Sequence, residues 1–396
     1  MQNNELKYTC LFGGGGARGF AYCGSIKAME DLGIQYDIIG GSSVGSIIAT
    51  LLAVGYNSQE IKDIFMKVNF ELFRDIRFGL GKDFALSKGE VFTDWLRTLL
   101  AEKVWANNPD KKNCTVTFKD IEKSLVVITT NLSNFKCQEF SKNSTPDYDV
   151  AQAVRISCSM PGLMIPTDYD GMTLVDGDLQ KSMPMWKLSK TVLKNADRII
   201  EFRLEGDYSG KERNPIDFLN TIYSCMTYVG TEFVSGIFRK NDRYECIKIN
   251  TRDTIVVDFN MPKKERANLL KIGYDEVMNY FKNFLPLKKR FLLEKYKTLF
   301  ILLKEFDLSV KSGMVGKSKF GLGEIFIELA DCRDNIDERI FTEFMDLKNL
   351  FRGSLHKGLL GERISDSKKV NELSSSILDL VSAKIKELES YVAEIK

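Results

Sequence analysis

Short apolar stretches bounded by Gly and polar residues predict strands at Lys7–Phe12, Asp37–Gly40, Leu125–Thr130 and Arg198–Phe202. Longer apolar runs follow the first two at once, and predict helices over Phe20–Met29 and Ser46–Ala53. Strand and helix patterns alternate to about residue 205, which implies an α/β domain: a mainly parallel sheet covered by helices on both faces. Residues 65–86 mix Phe and basic residues around Gly79-Leu80-Gly81, and suit either a flap over a lipid site or a packed connection. Lys263–Phe281 reads as a helix with Ala267, Leu270, Val277 and Phe281 on one side.

After Pro286 the strand pattern stops. Leu292, Tyr296, Leu299, Leu303 and Phe306 form one stripe spaced four, three, four, three. Ile336, Ile340, Phe344, Leu347 and Phe351 form a second, and Leu373, Ile377, Val381, Ile385, Leu388, Val392 and Ile395 a third. A Gly-rich stretch, Ser312–Gly323, is expected to be a linker. The region is expected to be all-helical, either a small bundle or an arm. Lys288, Lys289, Arg290, Lys295 and Lys297 suit either contact with anionic headgroups or a solvated helix face. The final stripe also suits self-association into a homo-oligomer.

Chemistry concentrates near the N-terminus. Gly41-Ser42-Ser43-Val44-Gly45 is G-x-S-x-G between a predicted strand and a predicted helix, the context of a nucleophile elbow exposing the Ser43 hydroxyl. Gly41 and Gly45 are expected where the turn leaves no room for a Cβ. Upstream, Gly13-Gly14-Gly15-Gly16-Ala17-Arg18-Gly19 also joins strand to helix. Such a loop aims backbone N–H groups at an anion. Gly14, Gly15 and Gly16 are therefore candidate oxyanion donors, with Arg18 fixing the loop or adding positive potential. Gly14-x-Gly16-x-x-Gly19 also matches a dinucleotide fingerprint. That reading wants an acid at the end of the second strand; Asp37 stands at its start, and the end is the Ser43 elbow.

The G-G-G-x-R-G loop, the G-x-S-x-G turn and the distant Asp176-Gly177 together resemble the patatin-like phospholipase family over roughly residues 6–283. Ser157–Pro166 is similar to the segment before that family's aspartate, and Thr173–Gly177 to the strand and turn that present it. The resemblance implies a three-layer patatin-like α/β fold over 6–283, with the helical region over 286–396 added to it. It implies a Ser43–Asp176 dyad without histidine, acting on a membrane phospholipid or lysophospholipid with no metal or organic cofactor. The family usually carries Gly or Ala after Asp-Gly. Asp178 replaces it here and is expected to face solvent. The chain's one histidine, His356, would complete an order Ser–Asp–His, but lies outside the region of resemblance and reads as a surface residue.

Composition agrees with this reading. The chain has 396 residues, 44% of them apolar, enough for a large core and an appended region. A net charge of +2 does not announce a nucleic-acid partner. No apolar run reaches transmembrane length, and the chain enters its first strand almost at once, so no signal peptide is expected. The eight cysteines form no C-x-x-C pair, which suits reduced thiols in a cytoplasmic protein that visits membranes peripherally. Two other classes fit parts of the pattern: a nucleotide-binding regulatory protein using the Gly loop, and a pseudoenzyme scaffold acting through its C-terminal helices.

Overall fold

The computed structural model describes residues 7–68, 87–179, 198–207, 221, 225, 244–256, 260–331, 336–358 and 361–394. The chain divides into two compact units, the change falling between Met278 and Asn279.

The first unit is built on an eight-stranded mixed sheet. Its strands are β1 (Lys7–Phe12), β2 (Gln35–Ser42), β3 (Ser124–Asn131), β4 (Lys136–Ser141), β5 (Thr167–Tyr169), β6 (Met172–Val175), β7 (Arg198–Glu205) and β8 (Tyr244–Asn250). The order is β5-β6-β3-β2-β1-β7-β8, with β4 also paired to β3. The run β3-β2-β1-β7-β8 is parallel throughout. Within it, β3 carries the apolar character that burial on both faces demands, as in Val126, Val127 and Ile128, while β7 and β8 bury the charged Glu201, Arg203 and Glu245. β4, β5 and β6 are antiparallel additions.

One detail of register positions the chemistry. β2 pairs with β3 only as far as Ser42↔Ile128. Beyond that point the same edge of β3 is taken by β6, through Thr130↔Val175, because β4 occupies the other edge. The end of β2 and the end of β6 therefore meet, and the residues that leave those strands become neighbours.

The helices of this unit are α1 (Phe20–Asp31), α2 (Val44–Ala53), α3 (Ser58–Lys67), α4 (Glu90–Val104), α5 (Val150–Ser157) and α6 (Lys263–Asn279). All ten residues of α2 are buried, as expected of a helix apolar on every side. α3 starts at a capping box in which Asn57 and Glu60 each accept the other's backbone N–H. α1 and α6 approach so closely that a Cβ on Gly24 would lie 1.8 Å from the Leu270 carbonyl oxygen. That approach turns Arg266, Leu269, Gly273 and Val277 inward and leaves Ala267 exposed, so the buried face of α6 is rotated from the one expected. Phe65 is core, edge-on to Phe20 at 5.7 Å. The rest of the flap segment, from residue 69 to 86, lies outside the described residues.

The second unit contains α7 (Leu285–Lys311), α8 (Val315–Asp331), α9 (Glu338–Gly353) and α10 (Ser367–Glu394). The three sequence stripes face one another: Leu299, Leu303, Phe344, Leu347, Ile377 and Val381 belong to one apolar cluster. The stripe on α10 is thus spent inside the unit. Three local expectations change. The Ser312–Gly323 stretch is no linker, because α8 starts at Val315: its glycines weaken the helix, but burial of Leu322, Ile325 and Leu329 outweighs that cost. The unit is not wholly helical, since β9 (Leu355–Gly358) and β10 (Gly361–Ile364) form a hairpin that places His356 opposite Arg363. The basic set on α7 is not one solvated face either. Lys289 is buried, Lys295 pairs with Glu328 at 2.8 Å, and Lys297 with Glu389 at 3.3 Å. No helix among the described residues is long and apolar enough to cross a membrane.

Candidate active site

β2 runs straight into α2 through a single residue, Ser43, whose φ of 50° and ψ of −131° are strained for a side-chain-bearing residue. Glycines make the turn feasible. A Cβ on Gly41 would lie 2.2 Å from the Gly45 carbonyl oxygen, and one on Gly45 would lie 2.1 Å from that of Phe12. The strain at Ser43 is held by hydrogen bonds on both sides. Its N–H donates to Ser157 Oγ at 3.0 Å, and its carbonyl accepts from Ser46 N at 2.8 Å and Ser46 Oγ at 2.6 Å. Ser157 Oγ in turn donates to the Ile128 carbonyl of β3 at 2.6 Å.

The side chain of Ser43 points at the end of β6. Its hydroxyl donates to Asp176 Oδ2 at 2.8 Å, and both residues are buried. Asp176 is itself located by its backbone N–H, which donates to the Ser159 carbonyl at 3.0 Å, and by Gly177. A Cβ on Gly177 would lie 2.2 Å from the Ile128 carbonyl oxygen. Its other oxygen, Oδ1, accepts the Asp178 N–H at 2.9 Å. Oδ1 is thereby occupied from behind while Oδ2 addresses the serine.

The glycine loop closes the site from the β1 side. Gly13 N donates to the Phe202 carbonyl at 3.0 Å, and Ala17 N to that of Val256 at 2.7 Å. Gly15 has φ 147° and Gly16 φ 55°, values that strain any other residue. Their two amides have no acceptor among the described residues. Arg18 is 5% exposed, and its Nε donates to the Thr254 carbonyl at 2.8 Å. It ties the loop to the segment after β8, and of the two roles expected for it this contact serves the fixing one.

Asp178 departs from expectation. It does not face solvent but is 3% exposed, wedged between elbow and loop. Its Oδ1 accepts the Ser42 hydroxyl, and accepts Gly14 N–H at 3.2 Å. Gly14 is thus engaged by a protein acceptor rather than open like Gly15 and Gly16. Burial pushes the Asp178 carboxyl up to about 6, and the charge of Glu201 adds to the rise. The bonds from Ser42 and Gly14 and the charge of Arg203 act against it.

The dinucleotide reading finds no support in this geometry. Asp37 sits five residues before Ser42 on β2, roughly 16 Å from that end of the strand at the rise per residue. His356 belongs to the hairpin of the second unit.

Ser157 had no assigned role in the sequence, although it opens a segment that did stand out. The only local signal for it is a Ser at the end of a short helix, which is common. Ser157→Ala leaves the Ser43 amide without its buried acceptor and is expected to lower stability by about 1–3 kcal/mol, read from the urea midpoint. Ser157→Thr, which keeps the oxygen, is expected to lose less.

A serine on a strand-to-helix elbow, beside a carboxylate and under a glycine loop, thus stands at the strand ends of a mostly parallel sheet in an α/β fold. The chain belongs to the patatin-like phospholipase family, whose model matches residues 11–188. It is 33% identical to protein R571 of Acanthamoeba polyphaga mimivirus over 288 residues, 70% of this chain and 94% of that one. It is 28% identical to the Saccharomyces cerevisiae lysophospholipase NTE1 over 194 residues, 45% of this chain and 10% of that one. Among solved structures, VipD from Legionella pneumophila shares the fold, with a TM-score of 0.54 at 15% identity, covering 99% of this chain and 88% of that one.

Proposed function

We propose that this protein is a lipid acyl hydrolase of phospholipase A or lysophospholipase type, working through Ser43 and Asp176. The observation that carries the proposal is the 2.8 Å hydrogen bond from Ser43 Oγ to Asp176 Oδ2 at a strained, glycine-framed elbow. Ser43 Oγ attacks the ester carbonyl carbon while its proton passes to Asp176. Charge developing on the carbonyl oxygen is met by the N–H groups of Gly15 and Gly16, whose amides have no acceptor among the described residues. As the C–O bond breaks, Asp176 returns the proton to the departing alkoxide, and an acyl-serine remains. Water then loses a proton to Asp176 and attacks the acyl carbon. The fatty acid leaves as Ser43 takes the proton back. The family and the NTE1 relative support this substrate class, and such a substrate calls for peripheral contact with a lipid surface.

The test is labelling with a fluorophosphonate probe, followed by peptide mass spectrometry. Modification at Ser43, lost in Ser43→Ala, is the expected result. Incubation with mixed membrane lipids should release free fatty acid from the native protein alone. A native protein that neither labels nor releases fatty acid refutes the proposal.

A further inference from the structure

Gly14 lies in the loop that faces the reacting carbonyl, yet its N–H is taken by Asp178 Oδ1 at 3.2 Å. A Cβ on Gly14 would lie 1.9 Å from Asp178 Oδ2 and 2.8 Å from Ser43 Cβ. The carboxyl group and the nucleophile thus flank one point. Asp178 Oδ2 is within about 5 Å of Ser43 Cβ, near enough in a dry site for its charge to act on the reaction with little screening. A negative charge at this distance opposes the negative charge that builds on the ester oxygen. It also holds a donor that would stabilise that charge.

We propose that Asp178 is an internal competitor for the oxyanion site: its carboxylate withholds the Gly14 N–H and repels the developing oxyanion, keeping hydrolysis below the rate the site can reach. This proposal rests on the acyl-hydrolase reading above. The competitor is held in place by two side-chain contacts that a substrate would have to relax, Ser42 Oγ donating to Oδ1 and Gly14 N donating to Oδ1, and by a third, Asp178 N donating to Asp176 Oδ1. The last contact runs through the backbone and survives rotation of the Asp178 side chain. Rotation can therefore free Gly14, and neutralisation can remove the repulsion and weaken the hold on its N–H, without disturbing Asp176.

The competition depends on charge, so it depends on pH. The groups that bear on Asp178 are Asp176 on its own turn, Glu201 and Arg203 of β7, Tyr22 of α1, and Cys158 after α5. The Tyr22 and Cys158 groups are both pushed upward by burial and remain neutral where Asp178 titrates. With a carboxyl held up at about 6, the block is in force at neutral pH and lifts as the pH falls through that value.

The experiment compares native protein, Asp178→Asn and Asp178→Gly on p-nitrophenyl butyrate, a soluble ester that removes membrane contact from the reading. Near pH 7.5 both variants are expected to raise kcat about tenfold, a part of the 10²–10³ that one oxyanion donor is worth, with KM changed less than about twofold. Near pH 5 the advantage of Asp178→Asn should shrink to about nothing, because the native carboxyl is then neutral too. Folded variants that are no faster than native protein at pH 7.5 overturn the proposal and make Asp178 a structural tie. Should both variants fail to fold, the native profile decides: kcat must rise between pH 7.5 and 6, and a flat or falling profile overturns the proposal. If native protein is inactive on this ester yet labelled by the fluorophosphonate, and Asp178→Gly is active, both the competitor and the hydrolase reading stand. If all three, folded, are inactive and unlabelled by the fluorophosphonate, the hydrolase reading fails and the competitor with it.

Discussion

Ser43→Ala and Asp176→Asn are each expected to lower hydrolysis of a soluble short-chain ester by about 10⁴-fold or more, the scale seen when a member of a nucleophile–base unit is removed. Ser43→Ala removes the attacking oxygen. Asp176→Asn keeps the side chain's shape and its bond to the Asp178 N–H, but its amide cannot take the serine proton at the 2.8 Å contact. The two losses should not add: the double variant should be about as slow as either single one, because neither group works without the other. Circular dichroism and the urea midpoint would show the fold retained. His356→Ala is expected to leave the rate unchanged. A loss there comparable to that of Asp176→Asn would replace the dyad with a triad.

The second large effect is on folding. Gly45→Ala is expected to cost about 3–5 kcal/mol of stability, at the upper end for a single methyl group, measured as a shift in the urea midpoint. The new Cβ would fall 2.1 Å from the Phe12 carbonyl oxygen and 2.5 Å from that of Gly13. Both belong to backbone that cannot yield without pulling β1 out of register with β2 or moving the glycine loop. A useful control is Gly316→Ala in α8. A Cβ there meets nothing within 4 Å, and the substitution is expected to stabilise by about 0.5–1 kcal/mol through helix propensity and a less flexible unfolded chain. Equal and small effects at both sites would mean that the elbow has slack the geometry does not show.

These two effects lie on opposite sides of what could be read from the chain. The elbow is local: strand, one strained serine and helix follow one another without a break, and the crowding that demands Gly41 comes from Gly45 and Ser46 of the same turn, whereas that at Gly45 comes from Phe12 and Gly13 at the end of the neighbouring strand. The alternation of strands and helices, the parallel sheet and the three apolar stripes are likewise written in short-range periodicity, because each element must turn one kind of residue inward. Asp176, far along the chain from Ser43, could be named only through the resemblance of its strand and turn to those of the patatin-like family.

Other properties were decided by contacts that no local pattern encodes. Whether Asp178 meets water depended on the meeting of β2, β6, β7 and the glycine loop, which together enclose it. The same packing commits Gly14 N–H to Asp178 while Gly15 and Gly16 have no acceptor among the described residues, though the three glycines are alike in sequence. Ser157 supports Ser43 only because α5 and β3 bring it there. In the second unit, local propensity favours a break at the glycines of 312–323, and burial of Leu322, Ile325 and Leu329 carries a helix through most of them. Lys289 reads as one of three neighbouring surface charges, yet it is buried in the folded protein. The sequence by itself determined the first parallel strands with the helices that follow them, the glycine-framed elbow and the apolar stripes, because backbone sterics and side-chain period act over a few residues. Only the tertiary structure decided which charges are dry and which donors are free, because burial is a property of the whole packing around a group and not of the group's place in the chain.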